Sequence, residues 1–172
     1  MKQTKALIAV AAMMAALLVP AVSSSAQGGW EALSLLKGEK KVNCTFDYSD
    51  AIIQSKTEEQ FASEEPNWGL AQKEVAAKFF EEFNERTFYM SNTIAAGEFP
   101  DAAYTLCIKP SNILRNGNFT GNVYLLDKSD NVLMEVPIRA KGGVFGSFWN
   151  LLGDGMKDAA KTIALRYRDI VR

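Results

Sequence analysis

The sequence predicts an α+β fold, a two-layer sandwich with two helices on one face of a mixed or antiparallel sheet of about four strands. Three observations lead to this prediction. Several short segments alternate apolar and polar residues, the pattern of a strand with one buried face. Two longer segments repeat apolar residues at steps of three and four, as helices with a single buried stripe do. The order is strand, helix, strand, strand, strand, helix, and two packed layers bury one apolar face of every element.

The chain begins with the features of a secretory signal peptide. A basic head in residues 1–5 precedes an uninterrupted apolar run over 6–19 and the small residues of 23–26. This order is typical of a signal peptide, here cleaved after Ala26. A transmembrane anchor needs about 20 apolar residues, and this run is shorter. We therefore expect residues 1–26 to be removed and the mature protein to be soluble, exported, and periplasmic or secreted.

The mature chain divides into a lead-in segment, residues 27–39, and one α+β domain, residues 40–172. The lead-in is expected to form a helical turn that packs Trp30, Leu33 and Leu36. No long apolar run follows the signal peptide, so we expect no integral membrane segment after cleavage.

The first strand and the first helix follow from their periodicity. Residues 40–49 alternate, with Val42, Cys44 and Phe46 on one face. Residues 55–67 are polar and predict no regular element. Residues 68–85 predict a helix, and its apolar stripe recurs at helical spacing. The stripe consists of Trp68, Ala71, Val75, Phe79 and Phe83.

Three more strands and a closing helix make up the second half of the chain. Residues 102–114 alternate, and an Asn-Gly hairpin signal at 116–117 follows them. Residues 119–126 and 132–140 predict two further strands joined by a polar turn. The last helix follows a glycine-rich loop.

The closing helix is amphipathic and begins at a serine cap. Ser147 can cap its first turn, and its apolar stripe extends from Trp149 to Ile170. Gly153 and Gly155 lie near its start, and we expect them to kink or interrupt the first turns.

Composition excludes several classes of function. The chain of 172 residues has no histidine and a formal net charge of -1. Without histidine there is no Ser-His-Asp or Cys-His relay and no ordinary histidine zinc site. The near-neutral charge does not favour a nucleic-acid partner. Asp127 and Asp130 lie in a predicted hairpin turn without EF-hand spacing, so we assign no metal, and we expect no cofactor.

Cys44 and Cys107 are candidates for a disulfide. An exported chain with an even number of cysteines favours a bond. Their positions argue against a disulfide. Cys44 lies on the same face of its strand as Val42 and Phe46, whereas Cys107 lies on the same face of its strand as the polar Lys109. On neighbouring strands the two sulfur atoms would point to opposite faces. Both alternatives stay open at the level of sequence.

Two further groups of residues are candidate ligand sites. Asp47 and Asp50 flank the end of the first strand and could form an acid and base pair, although aspartates in such places are more often turn formers. Gly146 and Ser147 precede the last helix, where backbone amides can bind a small anion. The loop contains no GxxxxGK[ST] pattern, and a simple strand-to-helix turn also accounts for its glycines.

Four segments carry a resemblance to known proteins. They are VNCTFDYSDAII (42–53), KFFEEFNE (78–85), AYTLCIKPSNI (103–113) and KGGVFGSFWNLLGDG (141–155). In these segments the mature chain resembles an uncharacterised family of exported bacterial proteins, and small strand-helix-strand-strand-strand-helix modules of cell-envelope proteins. The resemblance implies the topology and the exported location, and it implies no activity and no catalytic residues.

The sequence thus favours a non-enzymatic exported module that binds an envelope protein or ligand. One alternative is a small-ligand-binding protein or a hydrolase that uses carboxylates around Asp47 and Asp50. Another is a structural subunit that associates with itself through the edge of its sheet.

Overall fold

A mixed sheet of seven strands organises the part of the chain that the structure describes, residues 28–172 of a computed structural model. The predicted signal peptide, residues 1–26, lies outside the described residues. Four of the strands are long enough to define the sheet, and three are short additions. The strands are β1 (Lys41–Phe46), β2 (Ile52–Ile53), β3 (Lys56–Thr57), β4 (Ala95–Gly97), β5 (Tyr104–Ile113), β6 (Phe119–Asp127) and β7 (Val132–Ala140).

Helical segments pack on this sheet. A 3-10 helix, Trp30–Leu36, precedes β1, and the α-helices are α1 (Glu58–Glu64), α2 (Trp68–Phe88) and α3 (Phe148–Val171). The Thr57 hydroxyl caps α1 by accepting from the Gln60 amide, and the Gln60 side chain accepts from the Thr57 amide in return.

β5 is the central strand of the sheet. It pairs in parallel with β1 over its first half and with β2 at its end, and it pairs antiparallel with β6 along its other side. β7 extends the sheet beyond β6, and β4 extends it beyond β1. The parallel pairing of β1 and β5 is possible because a long connection containing α1 and α2 separates them.

One face of the sheet and the helices form a shared apolar core. Val42, Leu106 and Val123 point into it from three neighbouring strands and are inaccessible to solvent. α2 contributes Phe79 and Phe83, whose rings stack with centroids 6.1 Å apart. The lead-in also belongs to this core, because Leu33 and Leu36 are completely buried.

The α+β prediction is confirmed, and the main elements occur in the predicted order. The sequence did not reveal α1, β2, β3 or β4. α2 continues to Phe88, beyond the predicted end of the helix.

Of the two outcomes expected for Gly153 and Gly155, an interruption of the last helix does not occur. α3 is continuous through both residues, and both are buried. A Cβ atom on Gly155 would lie 2.4 Å from the Gly117 carbonyl oxygen, so this glycine permits close packing of α3 on the β5–β6 turn.

Candidate functional site

The second face of the sheet is polar, and side chains on four strands form two rows across it. The first row is Thr45, Cys107, Tyr124 and Glu135, which are register partners on β1, β5, β6 and β7. The second row contains Lys109 and Asn122, which are partners on β5 and β6. We call these six residues the open face. The alternation of each strand produces it, because the neighbouring residues point into the core.

Lys109 brings the two predicted carboxylates together at the margin of the open face. Its Nζ lies 2.6 Å from Asp50 Oδ2 and 3.1 Å from Asp47 Oδ2. The Asp47 amide donates to the Ile108 carbonyl, which continues the β1–β5 pairing and places Asp47 beside Lys109. All three side chains are partly exposed, so the ion pairs are in contact with solvent.

The electrostatics of this cluster favour its charged form. Hydrogen bonds from Ser49 and the nearby Lys109 ammonium hold the pKa of Asp47 below its ordinary value. The Ser49 hydroxyl donates to Asp47 Oδ1 at 2.6 Å, and the Ser49 amide donates to the same oxygen at 3.0 Å. The pKa of Lys109 is raised because it donates to Asp50 and Asp47. An acid and base pair would need one protonated carboxyl group near neutral pH, and this environment opposes protonation of Asp47.

A hydrogen-bonded group fixes the side chains in the middle of the open face. Tyr124 donates its hydroxyl hydrogen to Glu135 Oε1 at 3.0 Å, and Asn122 Nδ2 donates to the same oxygen at 2.9 Å. The three residues therefore present a defined arrangement of an aromatic ring, a carboxylate and an amide.

The two cysteines lie on opposite faces of the sheet. Cys44 is the register partner of Leu106, whereas Cys107 is the partner of Thr45 on the other face. Both thiols are free. The disulfide considered from the sequence is therefore absent here, because the parity of the strands separates the sulfur atoms. Burial raises the pKa of Cys44 to about 12 and also raises the pKa of Cys107.

Gly146 and Ser147 are separate from the carboxylates. Gly146 has a φ of +121°, and Ser147 Oγ accepts from the Asn150 amide at 3.4 Å as the cap of α3. Gly146 borders a surface hollow that Arg115, Gln54 and Glu65 also line. The structure thus gives these two residues a turn and a cap, which are the structural roles that the sequence allowed.

Four surface hollows of the described chain are lined by residues other than Asp47 and Asp50. One lies between α2 and α3 beside Trp149, one beside the end of α3, one at Gly146 and one at Leu114. Within residues 28–172, no group of three or more acidic or cysteine side chains is placed to hold a metal ion. None of the helices in that range is both long and apolar enough to cross a membrane.

Comparisons of the chain with protein-family models, with curated proteins and with solved structures found no match. The resemblance to exported bacterial proteins therefore stays a prediction.

Sequence reasoning missed most of the open face. It identified Asp47 and Asp50, and it recognised that Lys109 and Cys107 share one parity, but it did not pair Lys109 with the aspartates. It also did not connect Tyr124 with Glu135. The sequence shows which residues of each strand are polar and alternate with the buried ones. Which polar residues of different strands lie side by side depends on the register between the strands, and the sequence does not show that register.

Proposed function

We propose that the chain is a non-enzymatic binding module that recognises another protein or an envelope component through its open face. The observation that carries this proposal is the contrast between the two faces of the sheet. Helices bury the apolar face, whereas a row of polar side chains four strands wide is left uncovered. Such a surface is suited to a flat partner and not to an enclosed small ligand.

The chemistry of the open face supports a protein partner. Tyr124 offers a ring and a polar hydroxyl, a combination that is enriched in protein interfaces. Its hydrogen bond to Glu135 already fixes the Tyr124 side chain in the free protein. Less side-chain conformational entropy is therefore lost when a partner binds.

The charges of this surface indicate the kind of partner. Asp47, Asp50 and Glu135 contribute three carboxylates, and Lys109 is the ammonium group that contacts two of them. Lys41 and Arg139 lie on the same face as Thr45 and Glu135, so the charges of this surface are mixed in sign and favour a partner surface that is also mixed in sign. As part of the proposal, the module is exported and acts in the periplasm or outside the cell, where the predicted signal peptide would deliver it.

The ion pairing of Asp47 and Asp50 argues against the alternative of a carboxylate hydrolase. One ammonium group contacts both carboxylates within hydrogen-bond distance, and both side chains are partly exposed. A general acid would need a desolvated carboxyl group with a raised pKa, whereas the pKa of Asp47 is lowered.

The proposal is tested by affinity purification with matched variants. Tyr124→Ser and Glu135→Lys change the open face, and Leu70→Ser changes an exposed apolar side chain on α2. We expect a partner retained by the native protein and by Leu70→Ser to be lost by both open-face variants. Binding of the purified partner, followed by calorimetry, should also weaken as salt is added.

Two controls make the result decisive. Circular dichroism and thermal unfolding must show that each variant is folded. A partner that binds Tyr124→Ser and Glu135→Lys as tightly as the native protein would refute the assignment of the open face.

A further inference from the structure

The turn between β5 and β6 contains the one Asn-Gly dipeptide of the chain, Asn116 followed by Gly117. An asparagine that precedes glycine cyclises readily, because glycine has no side chain that obstructs its own amide nitrogen. The Gly117 nitrogen attacks Asn116 Cγ, a nitrogen–carbon bond forms, and the side-chain amide leaves as ammonia together with the proton of the attacking nitrogen. Water then opens the resulting succinimide at either carbonyl carbon. The products are aspartate and isoaspartate.

The folded structure engages both reacting groups in other hydrogen bonds. The Gly117 amide donates to the Leu114 carbonyl at 2.9 Å, so the hydrogen that the reaction must remove is held in the turn. Asn116 Oδ1 accepts from the Asn118 amide at 3.1 Å, which fixes the orientation of the side-chain amide. Because Asn116 is exposed to water, these contacts and not burial oppose the reaction.

The main chain of the dipeptide also has no room to rotate. Gly117 has a φ of +76°, and a Cβ atom on it would lie 2.1 Å from the Leu151 carbonyl oxygen. The Gly117 carbonyl oxygen would lie 2.4 Å from a Cβ atom on Gly155, and the Asn116 carbonyl oxygen would lie 2.1 Å from one on Gly142. Main-chain atoms of α3 and of the loop before it therefore hold the dipeptide in one conformation, and the attacking nitrogen cannot turn toward Cγ while α3 stays packed.

We propose that Asn116 is a modification site that the fold keeps closed and that unfolding opens. In the folded protein the hydrogen bonds and the packing of α3 prevent formation of the succinimide. In the unfolded chain the dipeptide rotates freely and the reaction proceeds. This inference concerns the β5–β6 turn and does not depend on the proposed function of the open face.

The two products differ in their ability to refold. Aspartate keeps the length of the main chain and still offers an oxygen to the Asn118 amide, so this product regains the native turn. Isoaspartate adds one atom to the main chain at a point where Gly117 already lies against main-chain atoms of α3. This product therefore cannot restore the packing of α3 on the turn, and a period of unfolding becomes an irreversible loss of the native fold.

Parallel incubation of the folded and the unfolded protein tests whether the fold closes the site. The purified protein is kept at one temperature and mildly alkaline pH, in buffer or in guanidinium chloride. Peptide mapping with electron-transfer fragmentation measures aspartate and isoaspartate at position 116 over time. We expect conversion in the folded protein to be slower by about a hundredfold or more, because it requires local opening of the turn.

Refolding of the unfolded samples tests the difference between the two products. After dilution of the denaturant, size-exclusion chromatography separates the refolded protein from the chains that fail to refold. We expect aspartate at position 116 in the refolded fraction and isoaspartate in the other fraction.

Two variants serve as matched controls, and circular dichroism establishes that each is folded at the start. Asn116→Asp gives the aspartate product directly and should refold as the unmodified protein does. Asn116→Gln forms a larger ring and cyclises more slowly, so it should still refold after the same time in denaturant. This variant keeps Asp154 and Gly155, the one Asp-Gly dipeptide of the chain, and any loss of refolding that it shows measures isomerisation at that second site.

Three outcomes would overturn the proposal. Equal rates of conversion in the folded and the unfolded protein would show that the fold does not close the site. Absence of conversion at Asn116 in the unfolded protein would show that there is no such site. Isoaspartate at position 116 in the same proportion in both fractions would show that this product does not prevent refolding.

Discussion

Tyr48 has a buried hydroxyl group without a hydrogen-bond partner among the described residues. Its ring packs edge-on against Trp68, with centroids 5.1 Å apart, so the apolar part of the side chain is well accommodated. An unpartnered buried hydroxyl costs free energy, because it gives up its hydrogen bonds to water. We expect Tyr48→Phe to raise the free energy of unfolding by about 1 kcal/mol, as measured by urea denaturation.

Tyr167 supplies the matched control for this prediction. It is also buried, but its hydroxyl donates to the Asn92 carbonyl at 2.9 Å. Tyr167→Phe should therefore lower the free energy of unfolding by about 1 kcal/mol. Equal destabilisation by both substitutions would mean that the Tyr48 hydroxyl has a partner, such as a bound water molecule.

Asp47 makes the stability of the fold dependent on pH. Hydrogen bonds from Ser49 and the Lys109 ammonium lower its pKa in the folded state. A carboxyl group with a lowered folded-state pKa stabilises the fold above its unfolded pKa, about 3.9, and this contribution is lost as the pH falls through the folded value.

We expect Ser49→Ala and Lys109→Gln each to raise the pKa of Asp47, because the Ser49 hydroxyl and the Lys109 ammonium both lower it. The pKa is measured by titration of the Asp47 carboxyl carbon in NMR spectra. Acid unfolding of either variant should begin at a higher pH than that of the native protein. An unchanged pKa of Asp47 in both variants would contradict this explanation of the shift.

The two thiols should react at different rates. Cys107 lies on the open face and is partly exposed, whereas Cys44 is 3% exposed and burial raises its pKa to about 12. Because the thiolate is the reactive form, we expect iodoacetamide to modify Cys107 slowly in the folded protein and Cys44 only after unfolding. The modified fraction of each cysteine is measured by mass spectrometry of samples prepared without reductant. Failure to modify either thiol in the unfolded protein would show that the pair is oxidised.

At the scale of elements, Gly155 allows α3 to pack closely against the β5–β6 turn. A Cβ atom on Gly155 would meet the Gly117 carbonyl oxygen at 2.4 Å, whereas on Gly153 its nearest neighbour would be Lys78 Cγ at 3.4 Å. We expect Gly155→Ala to destabilise the protein by about 1–3 kcal/mol through overpacking. Gly153→Ala should stabilise it by up to about 1 kcal/mol, because alanine favours the helix more than glycine does.

Urea denaturation of the two glycine variants tests this contrast between two residues that lie on different sides of one helix. Stabilisation by both substitutions would mean that helix propensity, and not the approach of α3 to the β5–β6 turn, determines both effects.

At the scale of the whole molecule, the central position of β5 predicts the order of local stability. β5 has hydrogen-bonded neighbours on both sides, whereas β2 and β3 are two-residue strands at the margin of the sheet. Opening β5 requires most of the sheet to separate. We expect hydrogen exchange followed by mass spectrometry to be slowest in β5 and β6 and fast in β2 and β3. Faster exchange in β5 than in β3 would contradict the described topology.

Local periodicity accounts for the parts of the fold that were predictable. β7 has the predicted bounds, and β1, β5, β6, α2 and α3 lie close to theirs, because each has one buried face that repeats along the chain. β2, β3 and β4 are too short to show a period. The periodicity of the sequence did not predict α1, because Phe61 is the only buried residue of this short polar helix.

The candidate site was only partly predictable for a related reason. Asp47 and Asp50 are close in sequence, but Lys109 reaches them through the parallel pairing of β1 with β5. The hydrogen bond between Tyr124 and Glu135 likewise depends on the register of β6 with β7.

The sequence by itself determined the class of fold, the main elements and the face that each element buries, because side-chain alternation is a property of neighbouring residues. Only the tertiary structure decided the strand order, the pairing of both carboxylates with Lys109 and the hydrogen bond between Tyr124 and Glu135. These features depend on contacts between residues that are distant along the chain, and the packing of the whole core selects among the possible arrangements.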